Sequence, residues 1–144
     1  MKTKSRYTIR LCVTGWVLTA ALMFSSAPVW GQSHVINILA DRDSHFKLPG
    51  EKARQITVKA GEPLVLHIEA RKGKTWSRDG AVHGFTLLRA KDHAKVPGWD
   101  FELKPGSQTL TLTAPTQPGE YEVVCTVICS ANHEQMRMKF SVTP

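Results

Sequence analysis

The chain is poor in cysteine. Three occur in 144 residues, and Cys12 falls in an N-terminal apolar stretch, which leaves Cys125 and Cys129 for the body of the protein. Two cysteines allow one bridge, but a bridge over so short a loop restricts the unfolded chain little, so stability alone explains the pair poorly. Long apolar runs are missing too. The N-terminal one, Leu11 to Phe24, has 14 residues, short of the ~20 that a membrane-spanning helix requires. The sequence has no amphipathic helix of useful length, no internal repeat and no low-complexity tract. It also lacks a nucleic-acid motif, a phosphate-binding glycine loop and a Ser/His/Asp arrangement. These absences argue against nucleic-acid partners and against turnover of a small-molecule substrate.

Acidic residues are absent from the first 31 positions, where Lys2, Lys4, Arg6 and Arg10 precede the apolar stretch and Ser25 to Gly31 follow it with small residues and Pro28. A basic start, a short apolar segment and a small-residue end form a secretory signal peptide. Val29 and Gly31 fit the positions before cleavage, so residues 1–31 are read as the leader and 32–144 as the mature domain, which is periplasmic or secreted. Membrane attachment follows only if the leader is retained as an anchor running to Trp30. Without the leader, 15 basic residues face 12 acidic ones, a net charge of +3 against +7 for the whole chain. So mild an excess suits an acidic protein partner better than a polyanion.

The mature sequence is a series of short strands separated by turn signals. Leu64, Leu66 and Ile68 alternate cleanly within Leu64 to Ala70, and Leu110 and Leu112 alternate with threonines in Thr109 to Thr113. Further strands are expected over His34 to Ala40, Ile56 to Val58, Val82 to Leu88, Tyr121 to Cys125 and Met138 to Val142. Such spacing predicts an all-β antiparallel sandwich. Arg71 to Gly80 and Ala90 to Gly98 read as irregular, the first combining four cations with Trp76. That segment reads as a solvated loop or, functionally, as a docking patch. Trp99 and Phe101 are expected to pack.

Chemistry concentrates near the C-terminus, where Cys125, Cys129, His133 and Met136 fall within twelve residues between two strands. A loop of that length can bring its donors to one point. Thiolate, imidazole and thioether are the soft donor set that selects copper. One more donor from an earlier strand end would complete the site. His83 is the candidate, because Gly84 beside it permits close approach and its neighbours are apolar. His67 alternates away from Leu66 and Ile68 toward the surface, and His45 and His93 lie in polar segments. His34 would be third from a free N-terminus after cleavage at Gly31, a weak Cu(II) site that cyclisation of Gln32 would remove.

Val82-His83-Gly84-Phe85, Lys104-Pro105-Gly106, Pro118-Gly119-Glu120-Tyr121 and the run from Cys125 through Met136 to Phe140 together resemble the CuA cupredoxin domain. That family includes the soluble domain of cytochrome c oxidase subunit II and the matching domain of nitrous oxide reductase. The similarity spans about Ile56 to Val142. It implies a cupredoxin-like Greek-key β-sandwich with two copper ions bridged by Cys125 and Cys129. His83 and His133 would each cap one copper, with Met136 and the Val127 carbonyl as weak ligands. The implied function is single-electron transfer, without catalysis, between redox proteins such as a cytochrome and an oxidase or reductase.

The chain departs from the family at Val127, commonly acidic, at Ser130, commonly Gly, and at Ala81, commonly Asp. Only the carbonyl of residue 127 binds, so valine costs no ligand, whereas the missing Asp removes a group that could orient His83. The two-helix anchor is also absent, which suggests a freestanding protein. His83, Cys129, His133 and Met136 alone would make a mononuclear blue-copper site, and Cys125 favours the dinuclear alternative. The same donors could serve a copper chaperone or store with a copper-delivery partner, or the two cysteines could form a disulfide in a copper-free binding domain.

Overall fold

The computed structural model describes residues 32–52, 54–73 and 79–144. The leader, and Trp76 with the centre of its basic loop, lie outside the described residues. Among the described residues nine strands form two sheets: β1 (His34–Ala40), β2 (Phe46–Lys47), β3 (Gln55–Lys59), β4 (Pro63–Ala70), β5 (His83–Arg89), β6 (Lys95–Leu103), β7 (Gly106–Thr113), β8 (Gly119–Val124) and β9 (Arg137–Thr143). One sheet runs β2-β1-β4-β7 and the other β3-β9-β8-β5-β6.

Alternation places the core. In β4, Leu64, Leu66, Ile68 and Ala70 are buried while Glu69 and His67 face out. Ile36 and Ile38 from β1 lie beside them, and Ile56, Val58, Val123, Met138, Phe140 and Val142 supply the facing sheet. Every second side chain of a strand points to the same face, so each strand contributes its apolar set to the space between the sheets. Phe140 sits between two aromatic edges, with Trp99 at 5.3 Å and Tyr121 at 6.4 Å between ring centroids, both close to perpendicular. Those offsets suit the ring quadrupoles. The Tyr121 hydroxyl donates to the Gln117 carbonyl at 2.7 Å and the Trp99 indole N–H to that of Thr113 at 3.2 Å, so neither ring buries an idle polar group.

The sandwich is mixed where the sequence suggested antiparallel pairing throughout. β1 runs parallel to β4, and β3 parallel to β9, beside five antiparallel pairs. A parallel pair needs a long crossover. Here the chain from Ala40 to Pro63 changes sheets through β2 and β3 before it returns, and β3 meets the last strand. The segment expected to be irregular up to Gly98 also differs, because β6 begins at Lys95. Its register against β5 slips between Thr86↔Asp100 and Leu88↔Lys95, which accommodates Pro97 and Gly98, the latter at φ +77°. Proline is tolerated there because β6 is an edge strand.

Candidate metal centre

The loop from Cys125 to Met136 joins β8 to β9. Val124 pairs with Arg137, and the Cys125 N–H donates to the Met136 carbonyl at 3.1 Å, so the ladder runs one step past the strands and closes both ends of the loop. Inside it, the Cys129 N–H donates to the Val127 carbonyl at 2.7 Å, closing a three-residue γ-turn between the cysteines. The Val127 oxygen therefore points into the loop, where the Cys125 sulfur meets it at 3.2 Å. A 3-10 turn over His133–Gln135 returns the chain to β9.

His83 opens β5 beside this loop. Its side chain is fully buried, with Nε2 3.0 Å from the Arg71 carbonyl oxygen. The other ring nitrogen, Nδ1, is buried without a hydrogen-bond partner. Buried polar atoms are rarely left so, and an unpaired one asks for an explanation. His83, Cys125 and Cys129 each offer a ligand atom within 4.8 Å of the others, all three residues being buried. Both cysteines are free thiols, with their sulfurs 3.7 Å apart. With Nε2 committed to a backbone carbonyl, Nδ1 is the nitrogen available to a metal, an arrangement that fixes tautomer and ring orientation. The residues fit a soft metal ion: two thiols that can ionise, an idle imidazole nitrogen and a carbonyl, enclosed together.

Gly84 makes that enclosure feasible. Its N–H donates to the Cys125 sulfur at 3.2 Å. A Cβ at this position would stand 2.4 Å from Thr126 Oγ1 and 2.6 Å from Thr126 N, closer than atoms can approach. Thr126 is in turn held by the buried Thr86 hydroxyl at 3.0 Å, and Thr86 donates to Asp100 at 2.6 Å.

The two thiols titrate as a pair. Hydrogen bonding to Cys125 lowers Cys129 to about 4, helped by the neighbouring His83 and opposed by burial. The same hydrogen bond and burial push the Cys125 thiol far above the usual range. The pair thus gives up one proton more readily than the other.

The remaining expected donors stand differently. Met136 closes the loop, its side chain wholly buried in the core cluster. His133 is partly exposed on the 3-10 turn, its Nδ1 3.2 Å from the Ser130 carbonyl, and it lies outside the three-residue group. The other histidines follow the sequence reading: His67 and His93 are exposed, and His45 is partly exposed beside Asp43. Sequence reasoning missed the Arg71 carbonyl, a backbone group with no residue-type signal. It also missed Ser44, a buried hydroxyl that the β1–β2 loop carries to within 2.6 Å of the Ser130 hydroxyl.

No protein-family model matches the chain, and no curated protein does either. Solved structures do resemble it. A chain of a heme-copper terminal oxidase dimer aligns with a TM-score of 0.52 at 16% identity, over 80% of this chain and 68% of that one. Auracyanin from Roseiflexus castenholzii aligns with 0.52 at 19% identity, over 79% and 100%. Rusticyanin from Thiobacillus ferrooxidans aligns with 0.50 at 16% identity, over 78% and 79%. The fold defined by these matches is the cupredoxin β-sandwich. Within it His83, Cys125 and Cys129 form a buried group of soft donors.

Proposed function

We propose that the mature domain is an exported copper protein that carries single electrons through a CuA-like dinuclear centre. The carrying observation is the pair of free cysteine sulfurs 3.7 Å apart, grouped with the unpartnered Nδ1 of a buried histidine. His83, Cys125, Cys129 and the Val127 carbonyl would hold the metal, with His133 and Met136 completing the set. Copper held by these residues would supply a one-electron couple. The chain's own contribution is rigidity. Ligands anchored on β5 and on a closed β8–β9 loop resist displacement when charge changes, which keeps reorganisation small. Exclusion of water by the surrounding apolar core acts in the same direction.

Ile128, adjacent to Cys129, is 71% exposed. It offers an apolar point of approach for a redox protein partner close to the ligands, as partner surfaces usually do. Export rests on the leader pattern of residues 1–31.

A mononuclear site is the second reading: His83 and Cys129, with His133 and Met136, make a one-thiolate donor set in which Cys125 has no role. The visible and paramagnetic resonance spectra of the reduced, copper-loaded and reoxidised domain, with metal counted per chain, distinguish the two. A purple mixed-valence form with two coppers supports the dinuclear reading. One copper with a single intense blue band supports the mononuclear one, and a chain that forms no stable coloured state is not an electron carrier of either kind.

A further inference from the structure

The β1–β2 hairpin turns through three residues, Arg42, Asp43 and Ser44. The Asp41 N–H donates to the His45 carbonyl at 3.0 Å, and the Ser44 N–H to the Asp41 carbonyl at 3.2 Å. The last position of such a loop takes a left-handed backbone and is normally filled by glycine, for which that conformation carries no steric cost. Ser44 occupies it at φ +60° and is only 4% exposed. A serine there strains the turn and buries a hydroxyl, so the turn itself does not account for it. The hydroxyl does.

Ser44 Oγ lies 2.6 Å from Ser130 Oγ, the residue next to Cys129. Ser130 Oγ also accepts the Asn132 N–H at 3.1 Å. Each hydroxyl has one proton to give and two lone pairs to accept with. With two lone pairs, the Ser130 oxygen has room for both the Asn132 N–H and the Ser44 hydroxyl proton. Asn132, Ser130 and Ser44 thus form a short hydrogen-bonded chain beside Cys129, and such chains reinforce themselves. The hairpin is well placed to hold this geometry. Phe46, two residues on, packs edge-on against Phe85 at 5.6 Å in the core, and Lys47 bridges Asp41 and Asp43 at 2.6 Å each.

We propose that Ser44 is a positioning residue of the metal loop: its hydroxyl bonds that of Ser130 and so ties the Cys129 end of that loop to the β1–β2 hairpin. The inference rests on the copper reading of the site. A group that holds the chain next to a metal-binding sulfur fixes where that sulfur sits, one of the means by which a protein sets a copper potential.

The test compares the copper-loaded protein with Ser44→Ala and Ser44→Gly. Both variants lose the hydroxyl, but only glycine relieves the backbone. Both should shift the reduction potential and the sulfur-to-copper absorption band away from those of the wild type. Ser44→Gly should unfold at higher urea than Ser44→Ala. In the metal-free protein, amide exchange at Ser130 and Asn132 should be faster in both variants than in wild type. An unchanged band and potential in both variants overturn the role of Ser44. So does a change in Ser44→Ala that Ser44→Gly abolishes, because backbone strain would then be the cause. If the wild-type chain forms no coloured copper complex, the reading of the site fails and this inference falls with it.

Discussion

The sulfur of Cys125 stands 3.7 Å from the sulfur of Cys129, and the Gly84 N–H reaches the first of them from another strand at 3.2 Å. The pair is therefore clasped from both sides of the loop. The Cys125 thiol donates to the Val127 carbonyl at 3.2 Å beside the Cys129 sulfur, and the coupling of the two thiols sets how the metal-free protein responds to pH.

Cys129 is depressed in the folded chain from 9.0 to about 4. A depressed group adds stability that is complete above its unfolded value and is lost as pH falls through its folded one. Cys125 is raised, so its contribution is complete below about 9 and fades as pH rises beyond it. Between about pH 5 and pH 8 the cysteine contribution should therefore grow with pH. Urea unfolding of the metal-free, reduced protein should show a midpoint that rises over this range more steeply than that of Cys129→Ser. Equal slopes would show that the two thiols do not share a proton. Thiolate absorbance should count about one thiolate per folded chain at neutral pH and about two after alkaline unfolding.

Removing one sulfur tests the count of metal ions. Cys125→Ser keeps the volume near Gly84 and leaves His83, Cys129, His133 and Met136 intact. On the dinuclear reading, bound copper should fall from about two per chain to about one, with loss of the mixed-valence signal. An intense blue protein with one copper in both wild type and variant would mean that Cys125 is not a ligand.

Gly84→Ala should be among the most damaging single-methyl changes in the chain. The added carbon meets Thr126 backbone as well as its side chain, so no rotamer change relieves it. Overpacking of this kind costs about 1–3 kcal/mol. The loss should appear in thermal unfolding of the metal-free protein and be accompanied by weaker copper retention, since Thr126 adjoins Cys125. An alanine variant with wild-type stability and copper affinity would show that the close approach of Gly84 to the loop is not required.

Much of this site was legible because its chemistry is carried by rare residue types at short spacing. Cys125 and Cys129 flank a loop bounded by two strands, and His83 beside a glycine at a strand start was the one histidine with apolar neighbours. β1 and the cleanly alternating β4 emerged with bounds close to those observed. What stayed hidden depended on distant partners or on backbone. The parallel pairing of β3 with β9 joins segments almost at opposite ends of the domain, and local pattern carries no trace of it. β6 was masked by Pro97 and Gly98, which signal a turn but sit in a register slip of an edge strand. The Arg71 carbonyl has no side-chain identity, and Ser44 reads as an ordinary turn serine until its φ and its neighbour Ser130 are known.

The double duty of His83 yields the final prediction. Its imidazole holds the Arg71 carbonyl through Nε2 and fills space in the core, while Nδ1 has no hydrogen-bond partner among the described residues. His83→Ala loses both roles. It empties a buried volume and strips the carbonyl of its donor, which together should cost about 2–4 kcal/mol in the metal-free protein. His83→Leu restores most of the volume and should recover about half of that loss, yet it provides no nitrogen. If Nδ1 is a copper ligand, both variants should lose the wild-type absorption spectrum and release copper to a chelator far faster, regardless of their difference in urea stability. Should His83→Leu retain the wild-type spectrum, the buried imidazole would be a packing residue, and the unpaired Nδ1 would need another explanation.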